Sequence, residues 1–512
     1  MGGVLATPDP DLVERLRRDL RAARYTVDEL EALWGAEAEA ALERGDRVPA
    51  LRALAAQAGR PAATLATAFL LGMPVPGPEL SAALPALGLD GARGLGLLDA
   101  AGRPAMDLRP YAFLDAHGAG SWWIASDRGE LATGGALRTD HVLGIGGASA
   151  TLAGLQLPDV VDATLDLGTG CGIQALHAAR RSRRVVATDI SERALGYARF
   201  NAALNGVANI EFRLGSLYDP VAGERFDRIV SNPPFVITPR TAGVPAYEYR
   251  DGGMVGDAIV EAVVTGAAGH LAPGGVAQLL GNWEERPGVA GLERATGWAD
   301  AAGLEAWIVE RETLDPARYA ETWIRDGGTR DSDPGYEELV AAWLDDFAER
   351  RVAGVGFGYI LLRRPDAGAK LRRLERLAAP LGGGSADGQS AAGLGGHLAA
   401  TLAAFDAQAA LDDEALLASR AVVAPDVTEE RSHWPGDADP SVIVLRQGGG
   451  FRREVRADTG LAAVVGACDG ELSLGVIVDA VAHLLEVDAV ALRAELVPQL
   501  RELLVGGLLT LA

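Results

Sequence analysis

The chain has 512 residues, of which 48% are hydrophobic and 23% are charged. This length exceeds that of one ordinary domain, and the composition is that of a globular protein with two to four domains. The formal net charge of −23 excludes a broad basic face that would grip a polyanion non-specifically, although a local basic patch stays possible.

The cysteine, histidine and hydropathy patterns exclude several further classes. Cys171 and Cys468 are the only cysteines, so there is no disulfide framework and no cysteine zinc site. The seven histidines are scattered without an H-x-x-x-H pair, and no metal is expected. The N-terminal sequence lacks the pattern of a signal peptide, and no uncharged apolar run is long enough to span a bilayer. We therefore expect a cytoplasmic protein without a membrane partner.

The first two regions are predicted to be a helical domain and a small β segment. Residues 1–105 carry helix-period apolar positions in LVERLRRDLRAA and VPALRALAAQAG, and a winged-helix-like domain fits them. A plain helical cap over the next domain is an equally good interpretation. Residues 106–150 contain the alternating aromatic stretch DLRPYAFLDAHGAGSWWIASD, which predicts strands followed by a connector. Trp122 and Trp123 in that stretch could stack on a base, but packing between cap and core is the expected use.

Residues 151–365 alternate between strand and helix patterns. Seven segments are predicted to be strands: ATLDLG, RVVATDI, IEFRLGS, FDRIVSN, GVAQLLGNW, EAWIVERE and GFGYILLRR. Because the strands are nearly all apolar and most are separated by helical stretches, they predict a mainly parallel α/β sheet covered on both faces. An insert between the last two strands is expected to form helices over one end of the sheet.

The remaining chain is predicted to be a linker, residues 366–397, followed by a C-terminal domain, residues 398–512. The linker includes the Gly/Ser-rich LGGGSADGQSAAGLGG. The basic segment RRPDAGAKLRRLER, which overlaps its start, could touch phosphates. In the last domain, strands lead into a helix, a turn and two further helices. This α+β pattern resembles the small winged-helix modules of the PqqD type, which bind peptides by pairing a strand, and an oligomerisation or stabilising role is equally open.

The segment TLDLGTGCGIQAL, from Thr164 to Leu176, predicts a ligand-binding turn between a strand and a helix. Glycines let the backbone approach a ligand closely, and the carboxyl end of such a strand is where nucleotide-like ligands bind. The next strand ends at Asp189, where a carboxylate can accept both hydroxyls of a ribose. A dinucleotide fold requires G-x-G-x-x-G, whereas this turn reads G-x-G-x-G, which weakens the NAD or FAD interpretation.

This turn resembles motif I of class I S-adenosylmethionine-dependent methyltransferases. The resemblance implies a seven-stranded Rossmann-like sheet that binds S-adenosylmethionine. It also implies that Asp166 supports the cofactor's methionine part and that Asp189 holds its ribose. The full set of cofactor-binding residues predicted on this basis is Asp166, Gly168, Thr169, Gly170, Gly172, Asp189, Ile190, Ser216, Leu217 and Asn232.

The sequence FDRIVSNPPF predicts a strand that stops at a rigid loop at the same sheet edge. Pro234 forces Pro233 into an extended conformation, since a residue before proline is kept out of the helical region. The Asn232 side-chain oxygen and the Pro233 carbonyl could then both accept hydrogen bonds from one substrate NH2 group. Catalysis would rest on orientation and electrostatics, while Phe235 could cover the flat face of the methylated group.

The pattern [DNS]-P-P-[FYW] at this place resembles the amino-methyltransferases, which include HemK-type glutamine enzymes, small-domain rRNA guanine enzymes and N6-adenine enzymes. Residues Gly252, Gly253 and Gly256 resemble the Gly-Gly-x-x-Gly continuation of the HemK type. A departure is Ser216, which stands where many relatives carry an acidic residue that meets the adenine amine, so that Leu217 and Tyr218 would have to pack the ring.

These patterns predict an N-methyltransferase with Asn232, Pro233, Pro234 and Phe235 as its catalytic residues. An exocyclic amino group of a base in rRNA or tRNA is the slightly preferred acceptor, because NPPF is common in such enzymes and the flanking domains could bind RNA. The alternative is glutamine in a protein, as in release-factor methyltransferases, or a peptide nitrogen. A protein that only senses the cofactor would have no use for Asn232. The oligomeric state stays open.

Overall fold

The structure is a computed structural model that describes residues 7–133, 137–241, 243–365, 371–377 and 393–512. Within these ranges, no helix combines the length and the apolar character needed to cross a lipid bilayer.

The N-terminal region consists of short helices followed by a β-hairpin. Its elements are α1 (Pro10–Ala22), α2 (Val27–Glu43), α3 (Val48–Ala55), α4 (Pro61–Leu65), α5 (Gly77–Ala83), α6 (Gly88–Gly94), β1 (Asp107–Asp115), β2 (Gly118–Ser126) and α7 (Glu130–Thr133). The helix α1 begins with a side-chain cap, because the carboxylate of Asp9 accepts from the backbone N–H of Asp11. The division between a winged-helix-like domain and a separate β segment stays a prediction.

The central region carries the large sheet. Its elements are α8 (Gly147–Leu155), β3 (Val161–Leu167), α9 (Ile173–Ala179), β4 (Ser182–Asp189), α10 (Glu192–Asn205), β5 (Ile210–Leu214), β6 (Phe226–Ser231), α11 (Ala258–His270), β7 (Leu271–Glu285), α12 (Gly291–Ala301), β8 (Glu305–Leu314), α13 (Pro316–Asp326), α14 (Tyr336–Glu349), β9 (Gly354–Arg363) and β10 (Arg372–Arg376). All seven predicted strands are present, and α13 and α14 form the predicted helical insert.

The strand order of the sheet is β10-β8-β9-β7-β6-β3-β4-β5. All neighbours are parallel except that β9 runs antiparallel to both β7 and β8. The chain moves outward from β3 to β5 and then returns to place β6 on the other side of β3. This reversal creates a switch point where loops leave two adjacent strands in opposite directions. The architecture is the Rossmann-like class I fold, as the sequence predicts.

One strand was not predicted, since β10 lies inside the segment expected to be a linker. It extends the sheet to eight strands by pairing parallel to β8. The described arginines of this segment are ion-paired: Arg372 with Asp300, Arg376 with Glu310, and Arg373 with Glu375 and Glu502. All of these carboxylate partners except Glu375 are distant in sequence. The sequence alone therefore does not show that the arginines are paired. The helix α15 (Gly393–Ala409) also begins within the expected linker.

The sheet is buried on both faces, as alternation along its strands requires. Leu165, Ile229, Leu279 and Ile308 share one core with α11 and α12, while Val276, Leu280, Trp307 and Leu361 share another with α8 and α15. The N-terminal helices pack against α9 and α10 in a third cluster.

The C-terminal region that follows α15 forms two small antiparallel sheets and four helices around a core of its own. After α15, its elements are α16 (Asp413–Ala418), β11 (Arg420–Val423), β12 (Val427–Ser432), β13 (Val442–Gln447), β14 (Glu454–Ala457), α17 (Thr459–Gly466), β15 (Asp469–Ser473), α18 (Leu474–Leu484), α19 (Ala489–Gly506) and β16 (Leu509–Leu511). Its likeness to a PqqD-type module stays a prediction.

Close packing at the centre of β9 generates a test of the fold. A Cβ at Gly358 would lie 2.0 Å from the Val309 carbonyl oxygen and 2.7 Å from the ring of Trp283, which is fully buried. We expect Gly358→Ala to lower the free energy of unfolding by about 1–3 kcal/mol, as overpacking does. Gly297→Ala is the matched control, because this exposed glycine in α12 has nothing within 4 Å of the added carbon. Urea denaturation followed by tryptophan fluorescence would measure both, and equal stabilities would contradict the packing argument.

Candidate active site

The candidate site lies where β3 and β6 end side by side. Leu167 and Ser231, the last residues of these strands, are register partners, and the Ser231 hydroxyl donates to the Leu167 carbonyl at 2.8 Å. Gly168 and Asn232 therefore leave the sheet next to each other. Both line a cleft of about 1260 Å³, counted to its open mouth. The structure thus brings the two sequence motifs together at one edge.

The glycine turn contributes two open positions and one packing position. Gly168, Gly170 and Gly172 all have positive φ, between 54° and 89°. An added Cβ would meet nothing within 4 Å at Gly168 or Gly170, so the backbone there faces open space. At Gly172 it would lie 3.0 Å from the Cβ of Ala198 in α10, and Gly172 is not part of the cleft wall. The prediction that Gly172 lines the cofactor does not fit this placement, because the glycine serves helix packing instead.

Asp166 also lies behind the cleft wall. It is fully buried, and its carboxylate accepts from the Thr169 hydroxyl at 2.5 Å. Thr169 itself lines the cleft. Burial raises the pKa of Asp166 to about 7, against the opposing effect of the Thr169 hydroxyl bond. Asp166 is therefore placed to hold the shape of the turn from below rather than to touch a ligand.

Asp189 is held at the end of β4 and lines the cleft. One carboxylate oxygen accepts from the backbone N–H of Gly170 and the other from that of Ser191, both at 2.9 Å. These bonds fix the side chain, and a carboxylate has further lone pairs with which to accept two ribose hydroxyls. Burial raises the pKa of Asp189 above its ordinary value, and the backbone N–H groups oppose this effect.

The predicted adenine-side residues are mostly where the sequence suggests. Ile190, Ser216 and Leu217 line the cleft, and the Ile190 side chain is 62% exposed there. Tyr218 is different, because it is buried, donates to the Val263 carbonyl at 2.8 Å and stacks on His270. It packs beneath the site and is not part of the cleft wall, so Leu217 remains as the side chain that could pack an adenine ring.

Asn232, Pro233 and Pro234 line the cleft as predicted. The Asn232 Oδ1 atom is buried and has no hydrogen-bond partner within the described residues. The loop behind it is fixed, because the Pro234 carbonyl accepts from the Gly252 N–H at 3.1 Å and Val236 N–H donates to the Arg250 carbonyl at 2.8 Å. The buried Asn232 Oδ1 therefore lies on a loop whose backbone is fixed by two hydrogen bonds.

Phe235 does not lie in the cleft wall. Its ring packs against hydrophobic side chains behind the loop and makes an edge contact with Trp323 of α13 at 6.3 Å. The expectation that Phe235 covers the reacting group is therefore not met by this arrangement. The aromatic side chains that line the cleft are His141 and Tyr249, whose rings meet edge to face at 5.6 Å. Burial lowers the pKa of His141 below its ordinary value, which favours a neutral ring.

Two segments of the chain cover the cleft. Residues 137–146 meet residues 243–257 above it. The Glu248 N–H donates to the Thr139 carbonyl at 2.9 Å, which joins the two segments. The second segment is fixed by Asp251, a fully buried carboxylate that pairs with Arg240. Sequence spacing shows the glycines of this segment but not the ion pair that shapes it.

The described residues fit S-adenosylmethionine. The turn at Gly168 and Gly170 leaves room for a ligand, Asp189 offers carboxylate lone pairs, and Ile190 and Leu217 offer apolar surface for a flat ring. No group of three or more His, Cys, Asp or Glu side chains in the described part of the chain is arranged to hold a metal. The sheet and this site define a class I S-adenosylmethionine-dependent methyltransferase domain.

Comparison with known families agrees with this class. Residues 147–287 match the family model described as methyltransferase small domain, and residues 22–109 match a domain of unknown function, DUF7059. The matched residues 147–287 include both the glycine turn and the Asn-Pro-Pro loop.

Individual relatives align with the same region. A release factor glutamine methyltransferase of Xylella fastidiosa is 36% identical over 148 residues, which cover 27% of this chain and 54% of that protein. A ribosomal protein uL3 glutamine methyltransferase of Bradyrhizobium diazoefficiens is 32% identical over 188 residues, covering 34% and 58%. The chain thus spans little more than half the length of these relatives. A solved 16S rRNA N2 G1207 methyltransferase of T. thermophilus aligns at 23% identity over 35% of this chain and 43% of that one, with a TM-score of 0.26, which is too low to discriminate between acceptors.

The raised pKa of Asp166 generates a pH prediction. The folded pKa of about 7 exceeds the ordinary value of 3.8, so folding binds a proton between these values and stability falls as pH rises through them. Between pH 5.5 and 8, both above the pI of about 4.8, wild type should lose about 2 kcal/mol of unfolding free energy relative to Asp166→Asn. Urea denaturation of both proteins without cofactor measures this difference. A difference that stays constant with pH would mean that Asp166 is not a buried, raised carboxyl.

Proposed function

We propose that this protein is an N-methyltransferase that transfers a methyl group from S-adenosylmethionine to the side-chain amide nitrogen of a glutamine in a protein. The observation that supports a nitrogen atom as the methyl acceptor is the buried Asn232 Oδ1, which has no hydrogen-bond partner in the described residues and lies beside the open glycine turn. An unpaired buried acceptor costs about 1–3 kcal/mol, which a substrate N–H donor would recover.

The residues that line the cleft support a position for each part of the cofactor. Gly168, Thr169 and Gly170 would face the methionine part, Asp189 the ribose, and Ile190 and Leu217 the adenine, with Asp166 supporting the turn through Thr169. When bound, S-adenosylmethionine supplies an electrophilic methyl group on a sulfonium.

The chain's own contribution is to orient the acceptor. Asn232 Oδ1 and the Pro233 carbonyl accept the two hydrogens of one NH2 group, which turns the nitrogen lone pair away from conjugation and toward the methyl carbon. In the transfer that this geometry would support, the new C–N bond would replace the C–S bond of the sulfonium, and the proton that the nitrogen loses would pass to water at the open mouth of the cleft. The rigid Pro233–Pro234 pair limits the entropy lost when the acceptor is aligned.

A protein acceptor is favoured over the nucleic-acid acceptor that the sequence alone favours. The relatives from Xylella fastidiosa and Bradyrhizobium diazoefficiens are both named as glutamine methyltransferases. Arg372, Arg373 and Arg376 of the basic segment are paired with carboxylates. Trp122 is buried in the N-terminal core, and Trp123 packs against that core with its Nε1 donating to the Tyr25 carbonyl at 2.7 Å, so both rings are used in packing.

The acceptor class is tested by following a labelled methyl group. The full-length protein is incubated with methyl-labelled S-adenosylmethionine and, separately, with total RNA, with ribosomes and with purified release factors. We expect label in protein, at a glutamine identified by mass spectrometry. Label in RNA instead would contradict the glutamine acceptor while leaving the methyltransferase assignment intact.

The role of Asn232 is tested by separating turnover from cofactor affinity. We expect Asn232→Ala to lower kcat roughly 10²- to 10³-fold, in the range seen when one oriented hydrogen-bonding group is removed from an active site. Its Kd for S-adenosylmethionine, measured by calorimetry, should change little.

A matched variant is Ile190→Ala, which removes exposed apolar surface on the opposite side of the cleft. It should raise the cofactor Kd and leave kcat nearly unchanged. Full turnover by Asn232→Ala would show that the orientation mechanism is wrong.

A further inference from the structure

A second cavity lies between α15 and the C-terminal domain, and none of its wall residues lines the candidate active site. It has about 1650 Å³ of empty space, counted to its open mouth. One wall is a run of small side chains on α15, and the opposite wall includes the end of α19 and the strand β16. Its apolar lining consists of Leu394, Ala400, Ala403, Ala404, Ala407, Pro425, Leu504, Leu509 and Leu511. None of its wall residues belongs to the methyltransferase motifs.

Thr401, on the wall of this cavity, lacks the hydroxyl-to-backbone hydrogen bond that several other helical threonines make. Thr265, Thr296 and Thr322 each donate to the carbonyl four residues earlier, at 2.7 Å. Thr401 is 1% exposed, and its Oγ1 has no hydrogen-bond partner in the described residues. Its helix therefore leaves a buried hydroxyl without the usual local bond, which costs free energy unless something else supplies a partner.

Gln447 supplies a second buried and unpartnered polar atom on the same cavity wall. It is 5% exposed, and its Oε1 makes no hydrogen bond to the described chain. The amide orientation is fixed by its other end, since Nε2 donates to the carbonyls of Gly506 and Gly507 at 3.1 and 3.4 Å. A flipped amide would set oxygen against oxygen there, so the unpartnered atom is an acceptor.

The charges of the cavity exclude an anionic ligand. No Arg or Lys occurs among the described residues that line it, and Asp426 adds a carboxylate. His397 is the only other titratable group on the wall. Burial lowers its pKa to about 4, and its Nε2 accepts from the Arg453 guanidinium, which favours a neutral ring with its proton on Nδ1. The Arg453 guanidinium is not on the wall and is paired with Glu375, so a phosphate would find no cation on the wall, whereas an amide would find an acceptor and neutral donors.

We propose that this cavity is a second binding site, which takes a neutral, mainly apolar ligand that carries an amide group. The amide N–H donates to Gln447 Oε1, and the amide oxygen accepts from the Thr401 hydroxyl. The apolar body of the ligand lies against the alanine face of α15. This site is independent of the proposed methyl transfer.

The test uses three six-carbon probes of equal size and different charge: hexanamide, hexanoate and hexylamine. Ligand-observed saturation-transfer NMR with the full-length protein should detect hexanamide and give at most a weak signal for the two ions. Thr401→Val and Gln447→Leu should each raise the hexanamide Kd roughly three- to tenfold, as expected for the loss of one hydrogen bond. Ala404→Trp, which fills the partly open alanine face, should abolish the signal.

Two control variants keep the result interpretable. Thr296→Val removes a hydroxyl that is already bonded within its own helix, and binding should be unchanged. Asn232→Ala tests whether the amide probe sits in the acceptor cleft instead, and here too binding should persist. Loss of binding in Asn232→Ala with retention in Thr401→Val would overturn the second site while supporting an amide acceptor. Equal binding of all three probes, or binding unaffected by Ala404→Trp, would also overturn it.

Discussion

The candidate site depends on the pairing of β3 with β6. Because Leu167 and Ser231 are register partners and are joined by the Ser231 hydroxyl, the two following loops begin side by side. One loop carries the open glycine turn and the other the Asn-Pro-Pro sequence. A slip of one residue in this register would send Asn232 to the other face of the sheet and separate the two motifs. The chemistry proposed for the cleft therefore depends on a register fixed by the hydrophobic strands on both sides.

The rest of the site is built by long-range contacts that hold these loops. The ion pair between Asp251 and Arg240 shapes the segment that receives the Pro234 carbonyl, and the Glu248 N–H ties that segment to Thr139. The cleft thus has a roof made from two distant parts of the chain. Such a roof would limit the access of water to a reaction in which orientation, rather than a strong base, would supply most of the rate enhancement.

The structure changes the roles of several predicted residues without moving the site. Gly172 and Asp166 belong to the motif, yet Gly172 makes room for Ala198 and Asp166 holds Thr169 from below. Phe235 faces Trp323 behind the loop, and the aromatic side chains in the cleft are His141 and Tyr249. Spacing identified which residues cluster, but the direction of a side chain depends on what packs against it.

The sequence by itself determined the order along the chain of seven strands and their helices in the central region. It also determined the two motifs and the edge of the sheet at which they meet. Local patterns are sufficient for this, because apolar alternation, glycine turns and paired prolines act over a few residues. Only the tertiary structure decided that the arginines of β10 are paired, that its segment is an eighth strand, and that Thr401 and Gln447 line one cavity. Most of these outcomes depend on partners far away in the chain, and burial, charge pairing and hydrogen bonding between such partners exist only once the chain has folded.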